Sequence, residues 1–154
     1  MNNNPVVLSI HPKYANAILD KSKTVEIRRG LLPLHIGSGD APVFLYATSP
    51  IRRVVGSCTL IHGGFRKRHS KPHSDRAKVS RKEWKEYQGN REGLHMYIVR
   101  DVEQFIEPIP LEYFGISHAP QFFSYAKKQL GEGDNSSSLS FCPPSETLST
   151  EVTQ

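Results

Sequence analysis

The sequence predicts an α+β domain: a small β-barrel of about five to six strands with two or three flanking helices. A helical pattern follows the first strand, and several strands rich in β-branched and aromatic residues come after it. The length of 154 residues suits one compact domain with extensions. No apolar run approaches the roughly 18 residues that cross a bilayer, and the N-terminus lacks a secretory pattern. We therefore expect a cytoplasmic protein without a membrane segment.

The first part of the barrel is predicted from short apolar runs. Residues 6–10, VVLSI, indicate a buried strand. Pro12 then opens a helix, since proline lacks the N–H that would be unpaired at a first helical position. In KYANAILD, residues 13–20, apolar side chains recur at helical spacing. Residues 23–29 are the next strand.

Three further strands are predicted at residues 43–49, 52–61 and 93–105, each rich in β-branched or aromatic side chains. The proline-broken, aromatic stretch after the last of them should wind over one end of the barrel before a short helix. Residues 131–154 are rich in serine and threonine and poor in apolar residues, which predicts a disordered tail after a domain of residues 1–130.

The segment between these strands is basic. From Arg66 to Lys85 it holds nine lysines and arginines against two acidic residues, while the whole chain has a net charge of +5. Contact with a polyanion is one interpretation, and a solvated loop is the other. We predict a mobile loop at 62–79, followed by a helix at 80–88 with a capping box of Ser80 and Glu83.

The run SKTVEIRR mixes charges of both signs with β-branched residues, as a solvated outer strand or the wall of a polar cleft would. Strand alternation puts Glu26 and Arg28 on one face and Val25 and Ile27 on the other. Lys23 lies at the entry to the strand, so its direction stays open.

Three blocks of the sequence resemble the ASCH domain family, whose members have a PUA-like β-barrel. The first, LSIHPKYANAILDKSKTVEIRR, contains a Lys-x-x-Glu-x-Arg run at Lys23, Glu26 and Arg28, with Ser22 directly before the lysine. The others are LYATSPIRRVVGSC and FIEPIPLEYFGISHAPQFFSYA, and the three follow the family's order across residues 6–126.

The resemblance implies a role connected with RNA. Some ASCH proteins cut single-stranded RNA, and others remove the acetyl group from N4-acetylcytidine. The amidohydrolases carry Lys-Thr-x-Thr-x-Arg with the lysine and the second threonine catalytic. Lys23 matches that lysine, whereas Glu26 stands where the threonine would be.

A cleft lined by these side chains suits nucleotide chemistry. Lys23 and Glu26 are the candidate catalytic acid/base pair, and Glu26 can also accept from an exocyclic amine. Arg28 offers a planar fork of donors to phosphate. The other candidate contacts are Arg29, Tyr46, Thr48, Ser49 and His11, with Arg66, Lys67 and Arg68 from the basic segment. Tyr46 and Trp84 are candidate stacking platforms for bases or, alternatively, core aromatics, and His11 is alternatively a helix cap.

Other chemistries have weaker support in the sequence. Cys58 lies among apolar residues, as a packing cysteine does, and Cys142 gives it no disulfide framework. His69 and His73 are four residues apart, but Pro72 should break a helix that aligned them. We expect no resident cofactor, with a divalent metal only for a ribonuclease.

Three functions remain open. The first is an RNA- or nucleotide-binding module whose basic loop grips the flanking backbone, with DNA as a second candidate partner. The second is an enzyme, either a ribonuclease on single-stranded RNA or an amidohydrolase on a modified nucleoside such as N4-acetylcytidine. The third is a regulatory domain that binds a protein or a small effector.

Overall fold

In the computed structural model, which describes residues 4–34 and 42–127, six strands form one curled half-barrel sheet. The elements in chain order are β1 (Val6–Ile10), α1 (Pro12–Leu19), β2 (Val25–Arg28), β3 (Val43–Ala47), β4 (Arg53–Arg66), α2 (Lys71–Ala77), α3 (Arg81–Gln88), β5 (Leu94–Ile109), a 3₁₀ turn (Leu111–Phe114) and β6 (Phe123–Tyr125). The predicted α+β barrel class is confirmed.

The order of strands across the sheet is β2-β5-β4-β3-β1-β6. β1 pairs in parallel with β3, and every other pairing is antiparallel. β2 is therefore an edge strand, bonded on one side to β5. Its other edge turns toward the end of β1, where no strand pairing joins the two.

The helix α1 packs against one face of the sheet, which we call the inner face. Its buried Ile18 belongs to a core cluster with Leu8 of β1, Leu45 of β3 and Tyr97 of β5. The spacing of Ala15, Ile18 and Leu19 brings one stripe of the helix onto this core. The apolar periodicity predicted from the sequence is thus confirmed.

Two smaller clusters cover the opposite, outer face. Phe44 and Tyr46 pack there with Phe114 of the 3₁₀ turn. Farther along the sheet, α2 and α3 close over Ile27, and the fully buried Trp84 fills the space between them. This places Ile27 on the outer face and the charged side chains of β2 on the inner face, as strand alternation predicts.

The prediction of a mobile basic loop at residues 62–79 was wrong. β4 continues to Arg66, and α2 occupies Lys71–Ala77. Pro72 falls in the first turn of α2, where a missing N–H is harmless, so it begins a helix rather than breaking one. The strand is longer than predicted because β4 and β5 pair along most of their lengths, which sequence alone does not show.

The end of the domain also differs from the prediction. A 3₁₀ turn and the short strand β6 occupy the aromatic segment, and β6 pairs with β1 where a short helix was expected. The first two residues of β1 register with Tyr125 and Ser124. The tail predicted at 131–154, with Cys142, lies outside the described residues.

Both predicted helix starts are present. The Ser80 Oγ accepts from the Glu83 N–H at 3.0 Å, and the Ser80 N–H donates to the Glu83 carboxylate at 2.6 Å, which completes the capping box. His11 caps α1, where its Nδ1 accepts from the Lys13 N–H at 3.1 Å. In the described part of the chain, no helix is long and apolar enough to cross a membrane.

We predict that Gly56→Ala destabilises the domain by about 1–3 kcal/mol, because an added methyl group overpacks a full core. Its Cβ would overlap the Glu103 carbonyl oxygen and lie 2.6 Å from a Leu19 methyl carbon. Urea unfolding measures the loss. Gly30→Ala is the control, since its Cβ would meet only Phe122 at 3.7 Å, and equal effects of the two substitutions would contradict the packing argument.

Candidate active site

A cavity of about 190 Å³ lies in the seam where β2 approaches the end of β1. One wall comes from β1 and α1, the second from β2, and the third from α3 and the residue that leads into it. The lining residues are Ser9, Ile10, His11, Tyr14, Lys23, Glu26, Ile27, Arg28, Val79, Glu83 and Tyr87. The unpaired edge of β2 thus becomes one side of a polar hollow.

Glu26 is the central charge of this cavity, and it is only 5% exposed. Arg28 Nε donates to its Oε1 at 2.8 Å, and Lys23 Nζ lies 3.3 Å from its Oε2. Oε2 itself is buried from solvent, and its contact with Lys23 is an ion pair without a well-aligned hydrogen bond. The carboxylate is thus held between two cations at the wall of the cavity.

Lys23 is as deeply buried as the core aliphatics, at 2% exposure. Its ammonium donates to the Ala77 carbonyl at 2.5 Å and sits 5.2 Å from the centre of the Tyr14 ring. Burial lowers the pKa of Lys23, while the Glu26 carboxylate acts in the opposite direction. The Lys23 side chain, whose direction the sequence left open, therefore points toward Glu26.

The backbone explains this direction. Lys23 still belongs to the turn after α1, since its N–H donates to the Ala17 carbonyl of that helix. The Thr24 N–H donates to the Arg76 carbonyl. The strand begins only at Val25, so the alternation that governs β2 does not yet apply to Lys23. Lys23 can therefore point to the same face as Glu26 and Arg28.

Arg28 bridges the seam. Its Nη2 donates to the Ser9 carbonyl of β1 at 3.0 Å, and its guanidinium carbon lies 5.5 Å from the centre of the Phe122 ring. A side-chain bond thus joins the two strands where no backbone ladder does. The guanidinium has five N–H donors, so donors remain for an anionic ligand after the bonds to Glu26 and Ser9.

The opposite wall carries a second carboxylate. Glu83 Oε1 accepts from Lys13 Nζ at 3.0 Å and from the Tyr14 hydroxyl at 3.2 Å. The Ser80 backbone bond and Lys13 lower the pKa of Glu83 to about 2. Because His11 Nδ1 accepts from Lys13, the proton of a neutral His11 ring is on Nε2.

The structure therefore brings four of the predicted site residues to one cavity: Lys23, Glu26, Arg28 and His11. It adds Tyr14, Glu83 and Tyr87, which the sequence analysis did not select as site residues. Glu83 was recognised only as a helix cap, and no local signal connects α3 with the strand β2. Only the packing of helices on the sheet brings these residues together.

Four other predicted residues lie outside the cavity lining. Arg29 is exposed, where its Nε donates to the Tyr87 carbonyl at 2.7 Å and its guanidinium stacks 4.4 Å from the Tyr87 ring. Tyr46 is buried in an outer-face cluster. Thr48 is half-buried and donates its N–H to Ile10, while Ser49 is exposed in the turn beyond it.

The predicted basic contacts Arg66, Lys67 and Arg68 are exposed where β4 ends. Lys67 pairs with Glu92 at 2.8 Å. Cys58 lies in the inner core, where burial raises the pKa of its thiol to about 12. Within residues 4–34 and 42–127, no group of three or more His, Cys, Asp or Glu side chains could hold a metal ion.

Comparison with known proteins places this fold among a small set of relatives. No family model matches the chain. It is 31% identical over 130 residues to a protein of Zymomonas mobilis subsp. mobilis named ASCH domain-containing ribonuclease, a match that covers 80% of this chain and 84% of the relative.

Solved structures agree with this match. The crystal structure of ASCH from Zymomonas mobilis superposes with a TM-score of 0.68 at 24% identity, over 82% of this chain and 90% of that one. A tyrosine-to-phenylalanine variant of ZmASCH gives 0.64 at 25% identity, over 81% and 91%. These superpositions confirm the predicted fold.

We predict that Glu26→Ala costs more stability than Lys23→Met. The first leaves two buried cations without their carboxylate, and breaking a buried pair in this way costs about 3–5 kcal/mol. The second leaves Glu26 its bond to Arg28, so the loss should be less than half as large. Urea unfolding compares them, with the exposed Lys82→Met as control. The reverse order would refute the central place of Glu26.

The Glu83 contacts predict a dependence of stability on pH. Its folded-state pKa of about 2 lies below the ordinary 4.5, so its contribution is complete above 4.5 and is lost as the pH falls toward 2. The side chain is 36% exposed, so we expect less than ~1 kcal/mol after solvent screening.

Thermal unfolding of Glu83→Gln between pH 7 and pH 2 measures this contribution. The variant should be less stable than the wild type at pH 7, and the difference should vanish at low pH. Glu86→Gln, on an exposed position of the same helix, is the control. A difference that grows on acidification would have the wrong sign for a lowered pKa.

Proposed function

The chain belongs to the ASCH domain family, and we propose that it is a ribonuclease that binds one nucleotide of single-stranded RNA in the seam between β1 and β2. The observation that carries this proposal is the buried Glu26 carboxylate, held between Lys23 and Arg28 at the wall of the cavity. The name of the Zymomonas relative supports RNA as the substrate.

The size and donors of the cavity suit a single nucleotide. Its volume of about 190 Å³ is below the roughly 300–1,000 Å³ of pockets for drug-sized ligands. A base or a ribose with its phosphate fills such a space, whereas a duplex does not enter. Arg28 takes the phosphate through its remaining N–H donors, and Glu26 Oε2 accepts from an amine or a ribose hydroxyl.

The proposed reaction uses the ribose 2′-hydroxyl as nucleophile. Glu26 Oε2 takes the proton of that hydroxyl as the 2′-oxygen attacks phosphorus, and the bond from phosphorus to the 5′-oxygen breaks. The products are a 2′,3′-cyclic phosphate and a new 5′-hydroxyl. Arg28 stabilises the negative charge that develops on the phosphate oxygens.

The leaving 5′-oxygen needs a proton from the side opposite the attack. Lys23 Nζ lies 3.3 Å from Glu26, on the same wall, so it is poorly placed to serve the leaving group. His11 lies on the β1 side of the seam with its proton on Nε2, and we assign it a hydrogen bond to the leaving 5′-oxygen, which takes its proton from a water molecule. Lys23 then acts as a positioning residue that holds and polarises Glu26.

An amidohydrolase is the weaker candidate. A buried lysine with a lowered pKa is compatible with it, but Glu26 occupies the position of the second catalytic threonine. This carboxylate is tied to two cations and offers no hydroxyl. We therefore include N4-acetylcytidine as a comparison substrate in the test below.

We expect the purified protein to cut a labelled single-stranded RNA and to leave the DNA of the same sequence intact, since DNA lacks the attacking hydroxyl. Glu26→Gln should lower the cleavage rate by about 100- to 10,000-fold, as loss of a general base does. Lys82→Gln is the control, an exposed position on α3 outside the cavity lining. Gel analysis of time courses, with and without a chelator, gives the rates.

Other outcomes select other functions. Salt-sensitive RNA binding that depends on Arg28, without cleavage, would reduce the proposal to an RNA-binding module. Release of acetate from N4-acetylcytidine would favour the amidohydrolase. If the protein shows neither RNA binding nor either activity, the remaining function is a domain that binds a protein or a small effector. Full cleavage by Glu26→Gln would refute the assignment of Glu26 as the base.

A further inference from the structure

We propose that a row of rings on the inner face, formed by Phe65, His95 and His62, is a second subsite on which bases of single-stranded RNA stack beside the nucleotide in the cavity. This inference rests on the proposed function and extends it along the RNA strand. It concerns side chains that do not line the cavity and to which the sequence analysis assigned no role.

The rings form a continuous series across β4 and β5. Phe65 lies 5.0 Å from His95, His95 lies 5.3 Å from His62, and His62 lies 5.3 Å from Tyr97, measured between ring centres. His62 Nε2 and His95 Nδ1 are 3.1 Å apart, so one imidazole fixes the other. Such a row of fixed π-faces suits the stacking of successive bases.

The row is open to solvent rather than covered. Phe65 is 39% exposed, His62 is exposed and His95 is half-buried. The buried Tyr97 belongs to the inner core and closes the row at one end. An exposed phenylalanine costs solubility without adding to a core, so a ligand that covers the ring is a physical reason for its position.

A β-bulge puts Phe65 on this face. His62 pairs with Tyr97 and Phe65 pairs with His95, so three steps on β4 match two on β5. In a regular strand, residues three apart point to opposite faces, and the extra residue at the bulge reverses this for Phe65.

Glycines make this arrangement possible. Gly64 has φ +116°, a conformation that other residues rarely adopt. A Cβ at Gly93, the residue before β5, would overlap the Arg66 carbonyl oxygen and lie 2.7 Å from the Phe65 ring. Glycine there therefore allows the close approach of the two backbones and also leaves room for the ring.

The row is continuous with the proposed active site. In the pairing of β2 with β5, Arg28 is opposite His95 and Glu26 is opposite Tyr97. Adjacent strands are about 4.8 Å apart, so the row begins one strand away from the two charged residues of the cavity wall. An RNA strand leaving the cavity across the inner face meets these rings next.

Positive charge surrounds the far end of the row. Arg66, Lys67 and Arg68 follow Phe65 directly, and all three are exposed. Lys67 pairs with Glu92, and Arg66 registers with Leu94 of the outer-face cluster, so its side chain points away from the row. Arg68 makes no ion pair with the described residues, and its charge near an exposed aromatic row suits the backbone of a single strand.

The test measures binding of 2′-fluoro RNA oligonucleotides of two and six residues, which lack the attacking hydroxyl, by fluorescence anisotropy. Phe65→Leu keeps an apolar side chain against Gly93 but removes the ring. It should weaken the hexamer by about 5- to 100-fold and leave the dimer within about twofold of the wild type. Ile61→Ala is the control, 38% exposed on the same strand and facing the opposite side.

A second pair of variants tests the charges. Arg68→Gln should reduce the slope of log affinity against log salt by about 0.7 for the hexamer, the value for one phosphate contact of a single strand. Arg66→Gln, on the outer face, is the control and should keep the hexamer slope. The dimer should keep its slope. Circular dichroism confirms that every variant is folded, and Phe65→Tyr, which restores a ring, should rescue hexamer binding.

The outcomes separate this inference from the proposed function. Equal hexamer affinity of Phe65→Leu and the wild type, with normal cleavage, overturns the stacking subsite alone. An equal loss in Ile61→Ala also overturns it, because the effect would not belong to the inner face. Absence of both dimer binding and cleavage overturns the proposed function and, with it, this extension.

Discussion

The structure around the seam depends on one interaction, the buried carboxylate of Glu26 between the cations of Lys23 and Arg28. An isolated charge in a protein interior is so unfavourable that it is paired or neutralised. Here two cations share one carboxylate, and Lys23 also donates to the Ala77 carbonyl. The three charged side chains therefore hold one another in place inside the fold.

The seam itself follows from the topology of the sheet. β2 ends the sheet on one side, and an exposed strand edge offers unpaired backbone groups that need cover. This protein covers the edge with side chains and helices: Arg28 reaches the Ser9 carbonyl, and Lys23 reaches the carbonyl that ends α2. These side chains fill less of the space beside β2 than a paired strand would. The space that they leave is the cavity.

Backbone irregularities set what each face presents. The turn before β2 brings Lys23 to the side of Glu26, and the bulge before Phe65 moves that ring to the inner face. The basic segment, expected to be a loop, instead ends β4 and forms α2. Its charges are therefore displayed from fixed elements.

The sequence by itself determined the first five strands, the first helix, the Ser80 capping box and the segregation of Glu26 and Arg28 from Val25 and Ile27, because these follow from local periodicity and hydrogen bonding. Only the tertiary structure decided that Lys23 turns inward, that Tyr46 packs in the core, and that Tyr14 and Glu83 join the cavity. The physical reason is that these positions depend on contacts between distant elements: α1 meets α3 through Lys13 and Glu83, seventy residues apart, and no local pattern encodes that distance.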